Sequence, residues 1–135
     1  MMDPSDLMAK ATTACASARA LLDRQDTDGA CNRAYYAMFD AARAALLATG
    51  AEVSANVGKT PSGVLTAFSL HLVKNGPVPR EIGRLLKQAE EIRIIADYSG
   101  DSISPDDARR LVEAAETFLT ALATLPGLQR PLNLP

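Results

Sequence analysis

The chain has 135 residues, of which 47% are hydrophobic and only 4% aromatic, and its formal net charge is -2. This length suits one domain whose core is built from alanine and aliphatic side chains, a composition that favours helix over sheet. The slight acidity excludes the global basic field that drives nonspecific binding to nucleic acid, so any RNA contact would have to be local.

The N-terminus and the cysteines narrow the class of protein further. Residues 1–5 show no basic segment followed by an apolar run, and no stretch approaches the ~18 apolar residues of a membrane span. We therefore expect a cytoplasmic protein. Cys15 and Cys31 lie in alanine-rich helical surroundings without a histidine at ligand spacing, which predicts reduced core residues. We expect neither a metal site nor a cofactor.

The first part of the chain predicts two helices. Asp3 followed by Pro4 is a helix-start signal, and apolar residues at helical spacing continue to Arg24. A second helix is predicted over Thr27 to Thr49, and Gly50 suits its C-terminal cap. Because apolar residues go nearly all the way round this second helix, we expect it to be the central one.

The rest of the chain predicts three more helices. Residues 51–61 have no usable period and predict a surface loop. Ser62 is predicted to cap a third helix, which ends at residues 75–77. Pro79 opens a fourth helix, which runs to Tyr98, and Ser104 caps a fifth that continues to Leu122. We expect an all-α antiparallel bundle of four to five helices over residues 1–125, with residues 126–135 as a loosely packed tail.

The segment NRAYYAMF at residues 32–39 resembles the central-helix signature of prokaryotic HEPN-domain proteins. Three further pieces occur in the order typical of that family, at residues 59–64, 68–76 and 93–98. The resemblance extends over roughly residues 5–123, and it implies a HEPN-like bundle of four or five helices. It implies a domain that usually forms a homodimer, is often encoded beside a minimal nucleotidyltransferase, and belongs to toxin–antitoxin modules.

Many members of the family that this chain resembles are metal-independent ribonucleases. Their motif is an Arg followed after four to six residues by a His, because the His moves protons and the Arg stabilises charge on the phosphate. This chain has the Arg as Arg93, but Tyr98, Ser99 and Gly100 occupy the positions permitted for the His. Its single histidine, His71, is predicted to be a packing or surface residue.

Arg93 falls within the apolar stripe of the fourth helix, where a charge needs a partner. Asp97, one turn later, is one candidate. A polar stripe on the second helix, formed by Arg33, Tyr36 and Asp40, offers others. We prefer the interpretation of Arg93 as a structural residue in a salt-bridged network over that of a phosphate-binding residue in a cleft between subunits.

Two further features have a functional and a plainer interpretation. Some nucleotidyltransferase partners in the resembled family attach AMP to a HEPN tyrosine, which makes Tyr98 a candidate modification site, although its spacing from Arg93 argues against this. Arg80, Arg84 and Lys87 form a modest basic face on the fourth helix. Such faces more often meet solvent than nucleic acid, so RNA is retained only as a weaker candidate partner.

These observations support one leading hypothesis and two alternatives. The first is a non-catalytic or regulatory HEPN component of a toxin–antitoxin or nucleotidyltransferase-paired module, a homodimer that acts by protein–protein binding. The alternative is a ribonuclease toxin that uses Arg93 with Asp97, Tyr98 or His71 as a non-standard base, although an Asp of ordinary pKa is a poor proton shuttle at pH 7. The second alternative is a nucleotide-binding module. Whether the chain is an enzyme stays open, with the sequence leaning against it.

Overall fold

The computed structural model describes residues 3–50 and 60–128, and these ranges contain helices and turns but no strand. The predicted all-α bundle is confirmed. The helices are α1 Pro4–Asp23, α2 Thr27–Ala48, α3 Pro61–Phe68, a π-helix Ser69–Lys74, α4 Arg80–Ser99 and α5 Pro105–Leu122. Most of the predicted loop at 51–61 and most of the predicted tail lie outside the described residues.

Side-chain caps at predicted positions begin the first and last helices. The Asp3 carboxylate accepts a hydrogen bond from the backbone N–H of Ser5, and the Ser104 hydroxyl accepts one from the N–H of Asp107. Each cap satisfies a backbone donor that has no partner inside its helix. At the end of α4, Gly100 has a φ of +72°, a left-handed conformation that glycine adopts without strain.

The start of α3 differs from its prediction. Thr60 is the N-cap, and its hydroxyl accepts a hydrogen bond of 3.1 Å from the N–H of Gly63. Pro61 follows as the first helical residue, where its missing N–H costs nothing, and it holds Thr60 in an extended conformation. The prediction of Ser62 as the cap is therefore wrong by two residues.

The segment after α3 winds as a π-helix instead of continuing as an α-helix. Its hydrogen bonding ends with the N–H of Asn75 donating to the carbonyl of Leu70, five residues earlier. Gly76 then packs against the segment so closely that a Cβ there would lie 2.5 Å from the His71 carbonyl oxygen. Only glycine fits this approach, which turns the chain towards α4.

The centre of the bundle is α2, as predicted, because it packs against α1, α3, the π-helix, α4 and α5. Its most extensive contact is with α1. Alanines that are almost fully buried are numerous on both helices: Ala11, Ala14 and Ala18 of α1, and Ala30, Ala34, Ala37, Ala41, Ala42, Ala44 and Ala45 of α2. Such small side chains let the two helix backbones approach closely.

The core continues beyond α5. Leu125 and Leu128 are both buried, so the core includes a residue three positions past residue 125, where we predicted that the domain ends and the tail begins. The domain boundary itself stays a prediction. By contrast, α4 buries only Leu86 and Ala89 among its 20 residues. Within residues 3–50 and 60–128, no helix is long and apolar enough to cross a membrane.

Candidate functional site

Arg93 reaches from α4 towards α2 and meets three groups. Its guanidinium donates to Asp97 at 2.7 Å and to Glu90 at 3.3 Å, one turn on either side along α4. The same group lies over the ring of Tyr35, 5.1 Å from the ring centroid. Since 34% of the Arg93 side chain is exposed, this residue sits at the edge of the core rather than inside it.

Tyr35 completes the network from the central helix. Its ring is buried, and its hydroxyl donates a hydrogen bond of 2.6 Å to Glu90. Burial raises the pKa of Tyr35, and the hydrogen bond to Glu90 raises it further, so the hydroxyl stays protonated as a donor. Partial burial lowers the pKa of Arg93, but Tyr35 and Glu90 outweigh that effect and raise it overall.

A cleft of about 260 Å³ opens beside this network, between α2, α4 and the turn before α5. Its apolar lining comes from Cys31, Ile92, Ala96, Ile103 and Leu111, and its polar lining from Asp28, Asn32, Tyr35, Arg93, Asp97 and Asp101. The Asp28 carboxylate accepts a hydrogen bond of 2.8 Å from the N–H of Ile103, which fixes the turn against the start of α2.

The charge of this cleft is predominantly negative. Three carboxylates line it together with a single guanidinium, that of Arg93, which already pairs with Asp97 and with Glu90. The Nε of Arg93 is buried and finds no hydrogen-bond partner among the described residues. Cys31 lies on the cleft wall, where burial raises the pKa of its thiol to about 11 and keeps it neutral.

The predicted polar stripe of α2 does not join Arg93. Within the described part of the chain, no hydrogen bond or ion pair links Arg93 to Arg33, Tyr36 or Asp40. Asp40 instead lies 3.9 Å from Arg43. Burial raises the pKa of Asp40, although Lys10, Arg43 and Arg33 each act to lower it. The Tyr36 ring packs against Tyr35 at 5.4 Å.

The remaining candidates lie outside the cleft. Tyr98 is 87% exposed at the end of α4, and His71 is half-buried on the π-helix and does not line the cleft. Arg80, Arg84 and Lys87 are exposed on the first half of α4. Among the described residues, no group of three or more His, Cys, Asp or Glu side chains is arranged to hold a metal ion.

Comparison with protein families matches residues 4–125 to the HEPN domain, which is most of the chain. The chain belongs to the HEPN family. The resemblance drawn from residues 32–39 is therefore confirmed.

Curated relatives of this HEPN domain include the UPF0332 protein glr0978 of Gloeobacter violaceus, 38% identical over 119 residues, which are 87% of this chain and 90% of that protein. A UPF0332 protein of Thermotoga maritima is 36% identical over 110 residues, 80% of this chain and 79% of its own length. A Methanocaldococcus jannaschii protein named "Putative toxin MJ0605" is 30% identical over 103 residues, 76% and 73% of the two chains.

Two residues of the Arg93 network in this HEPN domain were not singled out by sequence reasoning. Tyr35 reads as one of many apolar residues of α2, yet its hydroxyl reaches Glu90. Glu90 stands three residues before Arg93 on the same helix face, and that spacing was the available signal. Asp28 carries no comparable signal, because its partner Ile103 is 75 residues away along the chain.

Proposed function

We propose that this chain is a non-catalytic or regulatory component of a prokaryotic toxin–antitoxin or nucleotidyltransferase-paired module. In this proposal it is a cytoplasmic homodimer that works by binding a partner protein. The observation that carries the proposal is the state of Arg93, whose guanidinium is paired with two carboxylates inside a cleft lined by acidic side chains.

Such a cleft is a poor site for RNA. A phosphodiester brought to Arg93 would also approach Asp28, Asp97 and Asp101, all of which line the same cleft. At an effective dielectric constant of about 20, two unit charges 4 Å apart interact by about 4 kcal/mol. One guanidinium that is already paired cannot offset repulsion from three carboxylates, so this geometry favours a structural Arg93.

Proton transfer is also poorly served in the cleft. Asp97 already accepts a short hydrogen bond from Arg93, and the hydroxyl of Tyr35 is held in its protonated form by Glu90. A general base needs a free lone pair and a pKa near the working pH. The Asp97 carboxylate is held in an ion pair with Arg93, the Tyr35 hydroxyl is itself a donor, and the lining of the cleft contains no histidine.

The exposed apolar residues of α4 support a role in protein binding. Ile95 is 66% exposed and Tyr98 is 87% exposed, and they lie on the same side of the helix, three residues apart. Large apolar side chains grouped on a surface are typical of interaction sites. The toxin name of the Methanocaldococcus relative supports the module to which we assign this chain.

A ribonuclease toxin remains the second candidate, because Arg93 is partly exposed at the cleft and because one relative carries a toxin name. In that case Asp97, Tyr98 or His71 would act as the base. Asp97 would first have to leave Arg93, to which it is bound at 2.7 Å. This requirement places the ribonuclease behind the binding function.

One preparation of the purified full chain separates these candidates. We expect no cleavage of single-stranded RNA, and we expect a stable complex when the chain is co-expressed with the protein encoded by its neighbouring gene. Cleavage that disappears in Arg93→Ala while circular dichroism shows an intact fold would overturn the non-catalytic assignment. Tyr36→Phe serves as a control, since its ring does not line the cleft.

A further inference from the structure

One side of α2 stays open although this helix is the centre of the bundle. A line of residues on that side is partly or fully exposed, and its members are separated by alternating steps of three and four residues: Arg33, Tyr36, Asp40, Arg43 and Leu47. Phe39 flanks the line and is also partly exposed. These six residues are the outer face of α2. Steps of three and four keep side chains on one side of a helix, the arrangement by which a second helix packs alongside.

The outer face of α2 has the composition of a protein-binding surface. Large apolar groups meet water there, since Tyr36 is 44% exposed and Leu47 is 55% exposed. The rings of Tyr36 and Phe39 meet edge to face with centroids 6.5 Å apart, and the guanidinium of Arg43 lies 5.8 Å from the centroid of Phe39. These contacts already restrict the side chains, which lowers the entropy that binding would cost. Tyr and Arg are also prominent among the residues that contribute most to binding between proteins.

The charge of the outer face is positive. Arg33 and Arg43 lie on it, and Lys10 of α1 adds a third cation beside Asp40, where it acts to lower the pKa of that carboxyl. Asp40 is the only carboxylate among the six residues, and it is 15% exposed and 3.9 Å from Arg43. Its charge is therefore largely offset within the chain. A complementary partner would present carboxylates to the two arginines.

We propose that the outer face of α2 binds an acidic amphipathic helix of a different protein. The inference rests on the proposed binding function and names the surface and the kind of segment that it recognises. Arg33 and Arg43 are ten residues apart, which is about 15 Å along a helix. A helix lying alongside would therefore place two carboxylates about ten residues apart. Its apolar side chains would cover Tyr36, Phe39 and Leu47.

Two other occupants fit the outer face less well. A second copy centred on the face would set Asp40 against Asp40 if antiparallel, and each arginine against its own copy if parallel, which is repulsive. Single-stranded nucleic acid needs free ring faces on which bases stack. The Phe39 ring instead contacts the Arg43 guanidinium and the nearly parallel ring of Tyr35, 6.4 Å away. Asp40 would also repel a phosphate chain.

The size of the outer face predicts moderate affinity. From Arg33 to Leu47 it is about 21 Å long. A helix packed along that length buries roughly 1,000 Å² in total, at the lower limit for specific interfaces. We therefore expect a dissociation constant on the order of 10 μM.

A designed peptide tests the surface independently of the natural partner. The probe is a fluorescein-labelled helical peptide of about 18 residues, with leucines at steps of three and four and two glutamates ten residues apart. The control peptide carries lysines in place of the two glutamates. In fluorescence anisotropy with the full chain, the glutamate peptide should bind at least about tenfold more tightly than the lysine peptide.

Charge reversal tests whether α2 is the binding surface. The double variant Arg33→Glu, Arg43→Glu should reverse the preference, so that the lysine peptide binds more tightly. The variant Arg109→Glu, Arg110→Glu makes the same charge change at exposed residues of α5, and it should keep the preference for glutamate. Because Arg43 contacts Phe39, circular dichroism checks the fold, and Arg33→Glu alone should still weaken binding of the glutamate peptide severalfold.

Four results would each overturn the assignment. They are equal binding of the two peptides, an unchanged preference in the Arg33→Glu, Arg43→Glu variant, tighter binding of a single-stranded RNA oligonucleotide to the same face, and a change in the mass of the chain in sedimentation equilibrium caused by that variant. The third would assign the face to nucleic acid, and the fourth to a second copy.

The proposed function and this inference fail in different ways. A complex with the product of the neighbouring gene that survives the Arg33→Glu, Arg43→Glu change would overturn the role of the outer face and keep the binding function. RNA cleavage dependent on Arg93, with the peptide preference as expected, would overturn the non-catalytic assignment and leave the outer face as a site for acidic helices.

Discussion

The hydroxyl of Tyr35 is a small group whose removal tests the Arg93 network directly. Tyr35→Phe keeps the buried ring under the guanidinium and deletes only the donor of the 2.6 Å hydrogen bond to Glu90. A hydrogen bond to a charged group contributes about 1.5–3 kcal/mol. Because Glu90 keeps its ion pair with Arg93 and is 14% exposed, water replaces part of the loss, and we expect about 1.5 kcal/mol of destabilisation.

This free energy corresponds to a measurable change in melting temperature. Unfolding entropy is about 2.1 cal/mol/K per residue, which for 135 residues makes 1.5 kcal/mol equal to a decrease of roughly 5 °C. Urea unfolding followed by circular dichroism gives the free energy itself. Tyr36→Phe is the matched control, since its exposed ring has no hydroxyl hydrogen bond to a described residue. If the two variants lie within about 0.5 kcal/mol of each other, the Tyr35–Glu90 bond does not stabilise the fold as argued.

Three other changes test the cleft, the π-helix and the core. Asp97→Asn removes a carboxylate beside Arg93 and should increase the affinity for inorganic phosphate severalfold in an NMR titration. Asp106→Asn, the same change away from the cleft, is the control and should leave this affinity unchanged. Equal effects of the two variants would contradict the electrostatic argument. Gly76→Ala would bring a methyl within 2.5 Å of a backbone oxygen and should destabilise the fold by about 3 kcal/mol or more. The control Gly50→Ala, which meets only open space at a φ of +71°, should cost about 1 kcal/mol. Similar losses of stability in the two variants would contradict the close approach at Gly76. Burial raises the pKa of the Cys31 thiol from 9.0 to about 11, so the unfolded chain loses this proton first and the free energy of unfolding should decrease as pH rises through that interval. Cys31→Ala should make this decrease with pH less steep. An equally steep decrease in the variant would contradict the argument.

The architecture was predictable because local signals and periodicity agree. The caps at Asp3 and Ser104 and the all-round apolar pattern of α2 each specify one outcome, and the structure follows them. The start of α3 shows the limit of such signals. Both Thr60 and Ser62 are suitable caps by residue type, and only the restriction that Pro61 places on the preceding residue decides between them.

The candidate site was predictable only along its own helix. The pairing of Arg93 with Asp97 follows from a spacing of four residues, and the i,i+3 pair with Glu90 is equally local. Contacts between helices depend on how α2 rotates against α4, which periodicity does not determine for a helix that is apolar on nearly every side. For that reason Tyr35, rather than the stripe of Arg33, Tyr36 and Asp40, meets Arg93. The π-helix at Ser69–Lys74 had no recognisable sequence signal.

The buried alanines of α1 and α2 should tolerate substitution by a smaller residue better than substitution by a larger one. At positions such as Ala18, Ala34 and Ala41, which have no exposed surface, there is almost no side chain to remove, so truncation cannot create a large cavity. Every enlargement must instead push two helix axes apart, and even Val would overpack the contact. Random variation at this contact should therefore be accepted as Ala or Gly and rejected as anything larger, so the central pair of helices would keep its spacing.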